Sequence, residues 1–320
     1  MKKRTKIWMI VAASLMGAGI ILFGVILAML GWDFSKLSTD RFETNTYVIS
    51  EAYQDLVIDS LTADVTILPS EDGTTKIVCY EEHRSKHAVF VENGSLTIDL
   101  QDERKWYEYI GIHVTFPRLT VYLPAGEYGK LSVKLSTGDT SISKDLCFAS
   151  ISLSASTGDY FSSASVAGAV QVKLTTGDIR IEGCKVGSLD LDVTTGDITV
   201  SDVTCAGKIL EDLSTGDSVY TNITCSDFTS DATTGNLKMN HLIATAKITI
   251  TRSTGDIRFD GCDGGELLIK STTGDVIGRL LSEKIFIAKA SIGDVSVPET
   301  TTGGKCKITT DTGDIRISIG

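Results

Sequence analysis

Nine aspartates recur at one position of a repeated word: Asp139, Asp159, Asp178, Asp197, Asp217, Asp256, Asp275, Asp294 and Asp314. Carboxylates stacked in this way could hold a hard cation. Calcium takes six to eight oxygens, often from two or more carboxylates, and Asp178, Asp197 and Asp217 are the candidates. One carboxylate per unit is sparse for such a site, and the nine-residue calcium repeat of β-roll proteins is absent. If the units stack about 4.8 Å apart, unscreened neighbours repel by about 1 kcal/mol in water and about 3–4 kcal/mol at an effective dielectric of 20. The simplest relief is that each Asp accepts backbone N–H bonds within its own turn. The column is therefore expected to be structural, with no cofactor and with calcium as the weaker alternative.

Other residues of the right type fail on context. Cys79, His83 and His87 in "CYEEHRSKH" have ligand-like spacing on a helix, but their flanks alternate as strands do. "SISK", Ser141 to Lys144, matches an acylase word that requires a helix and partner motifs, and it falls in a repeat strand. No zinc-protease motif, phosphate loop or nucleophile elbow occurs. Paired Thr and Ser residues such as Thr194-Thr195 invite comparison with ice-binding grids, yet they sit at a bend. The seven cysteines are odd in number, which argues against a full disulfide framework. Most share repeat columns with Val, Ile and Leu and are expected to be buried thiols; Cys205 and Cys225, in adjacent units, are close enough to pair.

The elements that position these residues follow from the repeat. The word is Thr-Gly-Asp, with its glycine at Gly138, Gly158, Gly177, Gly196, Gly216, Gly235, Gly255, Gly274, Gly293 and Gly313, spaced by 19 or 20 residues. Seven, five and three residues before the glycine stand apolar side chains, as at Leu189, Leu191 and Val193. Two and four residues after it come others, as at Ile198 and Val200. Each flank alternates like a strand with one buried face. The inward parity flips across the word, which a straight strand cannot do and a glycine corner can. No unit carries a helical pattern, and no unit can bury its stripe alone, so units must stack. The expected fold is all-β: a β-solenoid, parallel β-helix-like, of about ten 19–20-residue coils over residues 131–320.

Residues 46–130 read as a less regular β part of the same solenoid, a cap with a degenerate first coil. "LVIDSLTADVTIL" repeats the columns with Ala63 where glycine would stand. Strand-like runs follow at Ile77–Tyr80, His87–Val91, Leu96–Leu100, Ile112–Thr115 and Leu119–Leu123, with "ENG" as a hairpin signal. Residues 31–45 read as a polar tether. Residues 7–30 carry no charge and are long enough to cross a bilayer as a signal anchor; the basic leader 1–6 before them places the N-terminus in the cytoplasm and the remainder outside. A cleavable signal is the rival, but the apolar run is long and no clean cleavage site follows. Net charge is −11, and four basic residues sit in the leader, so the outer part is more acidic still. That excludes nucleic acid as a simple electrostatic partner.

The basic leader, single apolar helix, "DLVIDSLTADVTILPSEDG", "LTVYLPAGEYGKLSVKLSTGD" and serial Thr-Gly-Asp coils together resemble the putative-adhesin family of bacterial cell-envelope proteins, a domain-of-unknown-function family. The resemblance covers residues 45–320. It implies an envelope-associated solenoid, sometimes linked to envelope stress, with no catalytic residues to carry over. The expected function is a non-enzymatic, membrane-anchored extracellular adhesin or surface-assembly protein, with envelope proteins or glycans as partners. Two alternatives stand beside it: a glycan-active β-helix enzyme, which would need carboxylates clustered with a basic residue, and an accessory sensor acting through its transmembrane helix, where Ala13 and Gly17 are spaced for helix contact.

Overall fold

The computed structural model describes residues 3–32, 41–105 and 116–320. Among the described residues, a helix, α1 (Lys3–Met29), is followed by strands only. Its segment Thr5–Met29 is long and apolar enough to cross a bilayer, and its large apolar side chains other than Leu27 are mostly exposed. The strands wind into a β-solenoid of parallel coils, each coil giving one strand to a sheet before the Thr-Gly-Asp corner and one to a sheet after it.

The register is what the sequence columns require. Before the corner, Leu131, Ile151, Val170, Leu189, Ile209, Phe228, Ile248, Leu267 and Cys306 stack level upon level. After it, Tyr160, Ile179, Ile198, Ser218, Leu237, Ile257, Val276 and Ile315 do the same. Both columns point inward and are buried, which realises the parity flip. A second turn column recurs where the post-corner strand ends: Gly183, Asp202, Asn222, His241 and Gly261 all adopt φ between +52° and +64°. One continuous hydrophobic core runs from the cap to the last coil.

The first coil is formed by β2 (Asp55–Thr62) and β3 (Asp64–Pro69), which pair with the first regular coil through Leu56↔Leu131 and Val65↔Thr140. Ala63 occupies its corner, as the sequence columns suggest. Beyond it the stack is closed by antiparallel strands. Here β1 (Phe42–Ile49), β4 (Thr75–Glu82), β5 (Ser85–Glu92), β6 (Ser95–Asp102) and β7 (Arg118–Leu123) take part. β6 lies parallel on β2 and β7 parallel on β3; β5 then runs antiparallel to β6, β4 antiparallel to β7, and β1 antiparallel to β4. Strand β1 begins at Phe42, inside the segment that reads as a tether, because Phe42 to Ile49 find a full ladder partner in β4. The run Ile112–Thr115 lies outside the described residues.

The far end departs from simple sequential winding. Strand Gly304–Thr312, the last before a corner, pairs on one side with Ile257–Thr273 and on the other with Lys284–Ile292. The C-terminal coil is thus inserted between the two coils that precede it in the chain. Lys284–Ile292 forms the terminal level, where Ile285, Ile287 and Ile292 are exposed.

Candidate functional site

The Asp column has a different job from the one its local sequence suggests. At the ten corners glycine adopts φ between +133° and +147°, and a Cβ there would lie 1.7–2.2 Å from the carbonyl oxygen of the neighbouring corner. Only glycine satisfies both conditions. Its N–H donates to the next level, as Gly196 does to the Thr215 carbonyl at 3.0 Å. The following Asp N–H turns the other way and has no backbone partner in the ladder. The carboxylate of the preceding level accepts it: Asp197 N–H donates to Asp178 Oδ1 and Asp217 N–H to Asp197 Oδ1, both at 2.8 Å. The bond therefore joins adjacent coils rather than closing each turn on itself. The series starts at Asp64 and passes through Asn236, whose Oδ1 accepts from Asp256 at 3.0 Å. It also follows spatial order at the end, from Asp275 to Asp314 to Asp294. One oxygen each of Asp178, Asp197 and Asp217 is engaged in this way, and all three side chains are exposed.

The cap gathers a second polar group. Cys79, Glu81 and His87 are buried with their potential ligand atoms within 4.8 Å of one another. His83, which the sequence grouped with Cys79 and His87, lies apart at the surface, 3.1 Å from Glu43, because β4 and β5 are strands joined by a tight turn at residues 83–84. Glu81 accepts three hydrogen bonds: from the His87 backbone N–H and Nδ1, each at 2.7 Å, and from Asn45 Nδ2 at 2.8 Å. Burial works against its charge, yet these donors outweigh it and hold the carboxyl below its ordinary value. Burial, with Glu81 adjacent, pushes the Cys79 thiol up to about 12. Ser60 Oγ stands 3.0 Å from His87 Nε2. Ser60, His87 and Glu81 thus have the connectivity of an acyl-transfer triad. Ser60 is only 3% exposed, however, and its partners are buried as well, so the chain of hydrogen bonds is sealed from any substrate.

A third network crosses the rod. Arg252, fully buried, donates from Nη2 to Glu211 Oε1 at 2.9 Å and to Ser230 Oγ at 3.0 Å. Glu211 also accepts from Ser218 Oγ at 2.6 Å and Tyr220 Oη at 2.7 Å. No motif word marks this pair. Its signal was present, since both residues stand at inward positions otherwise held by apolar or small side chains. The cysteines divide as follows: Cys79, Cys184, Cys205, Cys225, Cys262 and Cys306 are buried free thiols, whereas Cys147 is exposed. It lines a groove of about 460 Å³ together with Tyr128, Phe148, Val166 and Val186, with Glu127 and Lys185 among the polar residues there. This groove suits an extended apolar ligand.

Fold and corners together define a class, a parallel β-solenoid rod whose repeat word serves as a backbone device. The Toastrack DUF4097 family model matches residues 53–217 and 207–320, and the chain belongs to that family. Among solved structures, a putative adhesin from Bacteroides fragilis is 14% identical with TM-score 0.39, over 88% of this chain and 99% of its own. A putative lipid binding protein from Parabacteroides distasonis is 14% identical with TM-score 0.48, over 88% and 98%. A putative adhesin from Parabacteroides merdae is 11% identical with TM-score 0.40, again over 88% and 98%. No curated protein matches the sequence.

Proposed function

We propose that the chain is a non-enzymatic surface rod, held in the membrane by residues 7–30 and presenting its coils outside the cell for adhesion. The observation that carries this reading is the asymmetry of the solenoid. The end nearer in sequence to the apolar helix is closed by antiparallel strands, while the regular coils lead away from it and expose their outer faces. The Ser60–His87–Glu81 and Glu211–Arg252 clusters are buried and turned inward, which supports recognition over catalysis. Partners on this reading are envelope proteins or glycans met along the coil faces, and the groove beside Tyr128 and Phe148 is the place for a small apolar ligand.

The test is a C-terminal epitope after Gly320 on intact cells, probed with a membrane-impermeant antibody, together with attachment assays on cells with and without the chain. Surface labelling with chain-dependent attachment is expected. Labelling only after permeabilisation, or attachment indifferent to the chain, overturns the reading.

A further inference from the structure

We propose that the outer face of the pre-corner sheet is a self-recognition surface on which a second copy of this chain docks antiparallel. Three outward columns run along that face. In the first, Lys208, Asp227, Lys247, Glu266 and Lys305 occupy successive levels, alternating in sign. Each charge there has an opposite neighbour in its own rod; Lys247 and Lys305 both lie 3.8 Å from Glu266. From Asp192 onward, beyond the Lys173 level, the column four residues further along the strands is segregated instead. It reads Asp192, Asp212, Asp231, then Thr251, then Lys270, Thr309, Lys289. Among the described residues Asp212, Asp231, Lys270 and Lys289 have no ion pair. Like charges on adjacent strands oppose one another, and the alternation used two columns away would have relieved them.

Segregation becomes favourable when a reversed copy faces it. A two-fold axis parallel to the strands, passing between the Asp231 and Thr251 levels, keeps each column opposite itself and inverts its order. Asp212 then faces Lys270 of the second copy, and Asp227 faces Lys247. Lys208 faces Glu266 in the first column. The middle column obeys the same axis: Leu210 meets Leu268, Thr229 meets Thr249, and Asp190 meets Lys307. Every one of these contacts occurs twice. The one like-charged pair, Lys173 against Lys289, lies at the rim, where Lys173 is already bonded to Asp192 in its own rod. Asp231 faces Thr251 under this axis, so the match rests on Asp212–Lys270, Asp227–Lys247, Lys208–Glu266 and Asp190–Lys307. Four opposite-charge pairs from a single operator are the argument for a second copy rather than an unrelated partner.

The overlap is about 20 Å wide and about 34 Å long at strand and level spacings. That is roughly 600 Å² per copy, the scale of a weak specific contact that gains strength by multiplicity. The antiparallel arrangement puts the two caps at opposite ends. Resting on the proposed membrane anchorage, the two copies then belong to facing membranes, and the adhesion is homophilic.

The test uses the full chain in lipid vesicles. Wild-type vesicles are expected to cluster, with clustering falling at least tenfold for Asp212→Lys and for Lys270→Asp vesicles taken alone. Mixing those two variant populations restores it, since both cross-pairs are then opposite in charge; this rescue also shows that both variants fold. The double variant clusters with itself. If wild-type vesicles cluster but the single variants do so equally, this face is not the contact while the adhesive reading survives. Dispersed wild-type vesicles, on cells that still attach through the chain, leave adhesion standing but directed at another molecule. Clustering of wild-type vesicles with protein-free ones points to a lipid partner and overturns self-recognition.

Discussion

At the residue scale the Thr-Gly-Asp word separates into two roles that mutation can distinguish. Gly196→Ala must hold alanine at a φ of +147° with its Cβ 2.0 Å from the Gly177 carbonyl oxygen. A loss of at least about 3 kcal/mol is expected from strain and clash together. Asp197→Asn keeps an acceptor oxygen, as Asn236 already does in its own coil, so thermal or urea unfolding should shift by less than about 0.5 kcal/mol. Asp197→Ala leaves the Asp217 N–H without its partner at a solvent-facing corner and should cost about 1 kcal/mol. Equal effects for Asn and Ala would disprove the coil-to-coil role. The thiols give a second residue-scale test. Burial raises Cys79, Cys225 and Cys306 to about 12 and Cys184 and Cys262 to about 11, so a thiol reagent at pH 8 should modify Cys147 at once and the other six only on unfolding. Two or more fast thiols in the native protein would contradict the packed core.

At the scale of elements, the corners were legible in the sequence because a glycine corner forces a parity flip, and parity is visible in one dimension. The polar networks were not, because their members come from separate levels. Glu211 and Arg252 are 41 positions apart, and Ser60, Glu81 and His87 belong to three different strands. Spacing along the chain misled for His83, which shares the parity of Cys79 on a helix and on a strand alike, because β4 ends at Glu82 and the turn at 83–84 carries the imidazole to the surface. The Arg252–Glu211 pair should behave as a buried ion pair does. Arg252→Ala strands the Glu211 charge and is expected to cost about 3–5 kcal/mol, whereas replacing both residues by leucine should recover most of that loss. A double variant no better than the single one would show that the serines and Tyr220, not the pair itself, carry the network. The cap is the acid-sensitive element. Glu81 has its carboxyl lowered on folding, so its contribution is present above the unfolded value of about 4.3 and is lost as pH falls through the folded value. The cap strands should therefore lose hydrogen-exchange protection on acidification, and Glu81→Gln should flatten that pH dependence.

For the whole molecule, periodicity predicts the stacking of coils but says nothing about their order, since near-identical units fit one another equally well. That is why the inserted C-terminal coil could not be read from the chain. The exchange has a mechanical consequence. Residues 281–283 must climb two levels to reach Lys284–Ile292, and residues 297–303 descend one level so that Gly304–Thr312 can enter the gap. Gly274 and Gly293 are nevertheless 19 residues apart, the length of an ordinary coil. A chain ending at Gly303 loses the inserted coil, and Lys284–Ile292 can then step down one level, placing Phe286 and Ala288 against Leu267 and Ile269 in the same inward columns. Docking there restores a row of parallel hydrogen bonds and covers apolar surface that would otherwise face water. The truncated protein is accordingly expected to remain folded, with amides of Lys284–Ile292 still slow to exchange. Fast exchange confined to that strand would mean that the coils are not interchangeable, and that Gly304–Thr312 is a dedicated keystone for the free end of the rod.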